Sequence, residues 1–217
     1  MQRFIEEKLD VVAICDHNAS ENVPYLMRLS EGKSVTILPG MEITSIEEVH
    51  ILAIFDNYDK LNGLQHIIYD YLTGKNDESV FGCQVIVNEW DEVEGFNDRL
   101  LIGATELSLD AIIEYIHSFG GLAIASHIDR ESFSVLSQLG FVDPASPFDA
   151  LEVSSALGLR KARVKYPELF SYPMIESSDA HFTKDIGSAF TVMYLEEPST
   201  AEIKLAFEKK LGRYVEE

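Results

Sequence analysis

The chain has 217 residues, with 17 Lys+Arg against 37 Asp+Glu and a formal net charge of −20. Apolar residues make up 46% and charged residues 25%, a globular composition in a chain long enough to bury one core. No run of about 18 apolar residues is present, which excludes a membrane-spanning helix, and the acidic balance disfavours long nucleic acid, whose phosphates call for a basic face.

The opening residues lack the apolar stretch of a secretory signal. Two cysteines, Cys15 and Cys83, make neither a disulfide framework nor a thiolate metal site, so a reduced, cytoplasmic protein is expected.

In chain order, residues 11–15 form the first Val/Ile-rich strand. A short helix is expected over 20–30, with Pro24 in its first turn. A second strand follows at 35–38. Residues 42–45 and 49–55 can pair as a hairpin that returns His50 toward the level of Glu42. The stretch 57–105 breaks the rhythm. It holds a helix over 61–72 and an acidic segment over 88–98, and reads as an insertion or lid covering one end of a single domain, 1–217. A helix over 109–119 carries Leu109, Ile112, Ile113 and Ile116 on one face, with Ser108 as cap and Gly120-Gly121 as stop. Strands follow at 122–125 and 150–153, then a weaker helix over 158–169, then strands at 174–175 and 190–195. Ser199 to Glu202 fits a capping box opening a last helix. Strands alternating with helices predict an α/β fold with a parallel sheet, and seven strands favour a small barrel or a sheet bent toward one.

In such folds ligands bind beyond the carboxyl ends of the strands. Asp16-His17 follows the first strand, Glu42 the second, His127 the strand at 122–125, and Asp179-Ala180-His181 the strand at 174–175. Imidazole and carboxylate suit zinc, manganese or iron in hydrolytic sites. A carboxylate such as Glu42 can bridge two ions. His66 and His117 lie within predicted helices, away from the strand ends, and read as structural. Arg130, three residues after His127, is within reach of a phosphate. Arg160 begins the basic run Arg160, Lys161, Arg163, Lys165, and its start could face the same site.

The segments Ala13-Ile14-Cys15-Asp16-His17-Asn18, Pro39-Gly40-Met41-Glu42-Ile43, His50-Ile51-Leu52, Ala125-Ser126-His127 and Ser178-Asp179-Ala180-His181 together resemble the PHP (polymerase and histidinol phosphatase) family. The resemblance implies a distorted, TIM-like (β/α)7 barrel and a metal-dependent phosphoesterase that hydrolyses a phosphate monoester or small nucleotide. It implies that His17 ligates a metal with Asp16 orienting it, that Glu42 bridges two ions, that His50 and His127 complete one site, and that Asp179 and His181 form the last ligand motif. Catalysis would then draw on Asp16, His17 and Arg130, with Arg130 and Arg160 on the substrate phosphate.

One departure stands out. The family opens with a strand carrying His-x-His, and this sequence has none. Either the chain starts inside a longer sequence or it is a variant with a depleted cluster. Two divalent ions are then expected rather than three. The absent first strand would leave a sheet edge open, to be covered by an oligomer or a rearrangement. The competing expectation is a catalytically weak PHP-like module that binds a metal or ligand or offers a regulatory surface.

Overall fold

The computed structural model describes residues 1–216. Helix α1 (Gln2–Glu6) leads into β1 (Val11–His17), α2 (Val23–Ser30), β2 (Thr36–Thr44) and β3 (His50–Ile54). There follow α3 (Tyr58–Tyr71), α4 (Glu78–Phe81), β4 (Val85–Val87), β5 (Val93–Phe96), α5 (Leu109–Ser118), β6 (Leu122–Ala125) and α6 (Val135–Leu139). The chain ends with β7 (Ala150–Val153), α7 (Leu159–Lys165), β8 (Met174–Glu176), β9 (Met193–Tyr194), α8 (Thr200–Phe207) and β10 (Tyr214–Val215).

The main sheet has six strands in the order β1-β2-β3-β6-β7-β8 and curls as a half-barrel. Neighbours pair in parallel except around β3, which is antiparallel to both β2 and β6. The hairpin expected at 42–55 is therefore present, and it pairs Thr44 with His50. The seventh strand expected for the sheet, 190–195, shortens to β9 and pairs with β10 in a separate ribbon. It follows a run of turns, and its partner comes from beyond the last helix.

Strand periodicity explains what lies inside the curl. Side chains two apart share a face. Val11 and Ala13 of β1, Leu38 of β2, Leu52 and Ile54 of β3, Leu122 and Ile124 of β6, Ala150 of β7 and Ile175 of β8 pack together on the inner face. Ile203, Ala206 and Phe207 of α8, with Val215, close the lower end. Continuing each strand by two or four residues on that face gives His17, Glu42, His50, Ser126 and Glu152. One rule thus places an apolar floor below and a polar layer above. Gly40 lies between Leu38 and Glu42 on this face, and a Cβ there would stand 2.5 Å from Cys15 Sγ, so its bareness makes room for the thiol.

The outer face carries Met41, Ile43, Ile51, Ala53, Ala123, Ala125, Leu151 and Val153 against Leu61, Leu64 and Ile68 of α3, Ile112, Ile113 and Ile116 of α5, and Ala162 of α7. Ser108 caps α5 through Ala111 N–H, and Ser199 caps α8 through Glu202 N–H. The reciprocal half of the capping box expected at Ser199–Glu202 is absent, because the Glu202 carboxylate instead accepts from Arg213 and Glu196 N–H.

The two sheet edges differ. On β8, the Thr191 hydroxyl accepts from Glu176 N–H and donates to Glu176 O. On β1, Asp10 O accepts from Thr36 N–H and Asn18 N–H donates to Glu42 O. Even-numbered residues therefore face β2, while the backbone groups of Val11, Ala13, Cys15 and His17 point to an open edge.

Within 57–105, helix α3 joins the core while β4 and β5 form a ribbon whose sequence reads as an acidic loop. The ribbon is tied to the segment following β1. Asn22 bonds to Val85 O and Val87 N–H, Asn97 bonds to Glu21 and Tyr69, and Arg28 grips Glu89 with two hydrogen bonds. Asn18 is fully buried and donates to Leu101 O and Gly103 O while accepting from Thr44 N–H. No helix among the described residues is long and apolar enough to cross a membrane.

Candidate metal centre

Glu42 is the hub. It lies on the inner face of β2 above Leu38 and Gly40, is 5% exposed, and is surrounded by three imidazoles from three other segments. His17 Nδ1 lies 3.3 Å from Oε2, His50 Nδ1 lies 3.1 Å from Oε1 and His127 Nε2 lies 3.4 Å from Oε1. Ser126 donates its hydroxyl to the same Oε1 at 3.0 Å. The His17 and His50 rings meet edge to face at 5.1 Å, and those of His50 and His127 at 5.3 Å. Phe133 stacks on His50 at 4.8 Å, and its carbonyl accepts from His50 N–H, so the ring has little freedom to turn.

Burial alone would raise the Glu42 carboxyl's pKa. Hydrogen bonds from His127 and His50, and the charges of His50 and His17, outweigh it and hold the group well below the usual carboxylate range. Burial pushes His17 the other way, below the ordinary imidazole value, with Glu42 opposing. The centre thus favours an ionised Glu42 carboxylate, and burial favours the uncharged form of His17, the states in which these two groups bind a divalent ion.

Donor atoms of His17, Glu42 and His50 all lie within 4.8 Å of one another, close enough to share one ion. His127 Nδ1 is buried without a hydrogen-bond partner, and the buried His17 Nδ1 meets Glu42 Oε2 at 3.3 Å without hydrogen-bond geometry. Such orphaned atoms are costly unless a ligand meets them. The residues present therefore fit a divalent cation.

Asp179 and His181 stand beside this group. The His181 ring is 6.3 Å from that of His17, is exposed, and turns Nδ1 to the Asp179 carbonyl. Asp179 is ion-paired with Arg130, so this guanidinium rests on a carboxylate expected to hold metal. Asp16 falls on the opposite face of β1 from His17, exposed, near Asn22. Arg160 is exposed at the start of α7. His117 bonds to Asp149 at 2.8 Å, away from the strand ends.

Three residues around the centre take left-handed backbone angles: Asn18 (φ 49°), His127 (φ 28°) and Asp179 (φ 44°). Non-glycine residues hold such angles only where their surroundings impose them, and such sites cluster at functional positions.

Glu152 is absent from the residues picked out by motif, yet it is 3% exposed on the inner face of β7. Burial raises its pKa against the opposing hydrogen bonds from Ser177 and His127. The signal was available: in Ala150-Leu151-Glu152-Val153, a carboxylate occupies the inward register that Glu42 occupies in β2.

Residues 160–209 match the family model described as PHP-associated. No curated protein sequence is detectably similar to the chain. The fold is similar to that of the lesion-specific endonuclease PfuEndoQ from Pyrococcus furiosus, with a TM-score of 0.71 at 16% identity, covering 98% of this chain and 52% of that one. It is also similar to an Endonuclease Q complex with a 27-mer duplex carrying an abasic lesion at the active site (TM-score 0.70, 16% identity, 98% and 51% covered). A protein described as a metal-dependent phosphoesterase, from Bifidobacterium adolescentis, gives 0.58 at 16% identity, with 94% and 86% covered. The chain spans about half the length of the endonuclease Q chains. The resemblance to PHP proteins read from the strand-end motifs is borne out by the family model and the shared fold.

The comparison corrects one expectation. Net charge argued against long nucleic acid, yet the Endonuclease Q fold takes a 27-mer duplex. Net charge sums over the whole surface, whereas a phosphate backbone is met by a few local groups, so −20 overall does not exclude that partner.

Proposed function

We propose that the chain is a metal-dependent phosphoesterase whose centre is built on His17, Glu42, His50 and His127. The observation that carries this reading is the single buried carboxylate ringed by three imidazoles, with His127 Nδ1 buried and lacking a hydrogen-bond partner. Asp179 and His181 supply further donors on the same side.

A bound divalent ion there lowers the pKa of water and stabilises charge on a phosphoryl oxygen. The protein's own groups prepare that chemistry. Glu42 holds three imidazoles in one orientation, and Ser126 keeps the carboxylate from rotating. Arg130 stands at the mouth, paired with Asp179 and partly exposed, where it can meet a phosphate oxygen. In the reaction water forms a bond to phosphorus, the ester oxygen leaves, and that oxygen takes a proton.

The ester is either a phosphate monoester or small nucleotide, as the motifs imply, or a nucleic-acid phosphodiester, as the likeness to Endonuclease Q suggests. The segment 57–105 acts as the rim on one side, its ribbon fastened to Asn22 and its residues 101 and 103 to Asn18, in the chain following His17. The reading as one domain, 1–217, and the phosphate role of Arg160 are part of the same proposal.

The test uses p-nitrophenyl phosphate and bis(p-nitrophenyl) phosphate with added Mn²⁺ or Zn²⁺. His127→Ala is expected to lower kcat/KM on the preferred ester by about 100-fold or more, since it removes an imidazole facing the reacting region. Equal rates for the two proteins would overturn the assignment. The relative rates on monoester and diester separate the two substrate classes.

A further inference from the structure

Resting on the metal-centre reading, we propose that Glu152 is a positioning residue. It fixes the spacing between the His127 and Asp179 loops, and so sets divalent-metal affinity without touching the ion.

The two carboxylate oxygens are used separately. Oε2 accepts from the backbone N–H of His127 at 3.1 Å. Oε1 accepts the hydroxyl of Ser177, two residues before Asp179. The Glu152 carbonyl also accepts from Ile128 N–H at 2.8 Å. One residue of β7 therefore holds the turn carrying His127 and the start of the loop carrying Asp179 and His181.

Strand pairing does not reach these loops. Strand β6 stops pairing with β7 after Ala125, and β8 ends at Glu176. Beyond those points, His127 and Asp179 take left-handed angles that the chain would relax if released. A second brace runs parallel to the first, with both Asp129 oxygens on Ser154 through its N–H and hydroxyl. The Arg130–Asp179 ion pair closes the loops above. Of these links only Glu152 is buried on the inner face beneath the centre. Its oxygens hold donors of the two loops, one on each side, which places it as a support. Partners of this kind typically alter metal affinity 10–100-fold when removed.

The test compares the parent chain with Glu152→Ala, Glu152→Gln and Ser177→Ala. Two quantities are read: Zn²⁺ affinity by calorimetry, and hydrogen exchange of the His127 amide in the metal-free protein. Glutamine can keep both contacts, because its carbonyl accepts from His127 N–H and its amide donates to the Ser177 oxygen. Glu152→Ala is expected to weaken Zn²⁺ binding by about 10–100-fold and to speed His127 exchange, with Glu152→Gln within about threefold of the parent in both. Ser177→Ala, which removes one contact, is expected to fall between, and it decides the matter if the alanine variant at 152 does not fold. Glutamine as damaging as alanine would show the charge acting on the ion directly and would overturn the positioning role. Unchanged affinity in the Glu152→Ala or Ser177→Ala protein, with the parent binding Zn²⁺, would overturn the brace alone. A parent chain that binds no Zn²⁺ would overturn both the brace and the metal centre.

Discussion

Glu42→Ala is expected to weaken Zn²⁺ binding by well over 100-fold, more than any other single change at the centre. Removing an outer partner of a metal ligand already costs about 10–100-fold, and Glu42 is the one group in contact with all three imidazoles. Its loss removes a donor and also the anion that offsets the ion's charge in a buried site. The three rings would then face a cavity with no acceptor to orient them. Calorimetry on the folded variant, checked by circular dichroism, gives the answer. Affinity within about threefold of the parent would show that the ion sits elsewhere.

The second large effect is on stability. Phe55 follows β3 and is fully buried, and its N–H donates to Pro39 O at the middle of β2. Its ring lies so close to Gly121 that a Cβ there would stand 2.5 Å away. Phe55→Ala is expected to lose about 3–5 kcal/mol, since the surrounding backbone cannot collapse into the gap. That is a large part of the roughly 5–15 kcal/mol that holds a typical domain. Denaturant unfolding should show a lowered midpoint with an unchanged slope. A loss below about 1 kcal/mol would show that the ring is not locked between strand and glycine as described.

The strand ends were legible because each one breaks an apolar run with a residue that has no reason to be there on packing grounds. Asp16-His17, Glu42, His127 and Asp179 all announce themselves that way. His50 was legible only through the hairpin, which the structure contains. Glu152 was harder to see. It lies inside its strand rather than after it, and shows only when inner and outer registers are compared across β2 and β7.

The ribbon β4–β5 was missed because Glu89, Asp91, Glu92 and Glu94 mask its short apolar alternation. It owes its place to side chains far off in sequence, such as Asn22 and Asn97. The five-residue α6 is likewise too short for periodicity to show, although Ser134 and Ser137 cap it reciprocally. The extent of the barrel could not be read from strand count, since whether residues 190–195 join the sheet depends on pairing with β10.

Crystals of the chain equilibrated with Mn²⁺, with diffraction recorded where manganese scatters anomalously, test the centre most directly. The prediction is a peak within about 2.0–2.3 Å of donor atoms from His17, Glu42 and His50. Manganese bound only at surface carboxylates, with none among those three side chains, would contradict it.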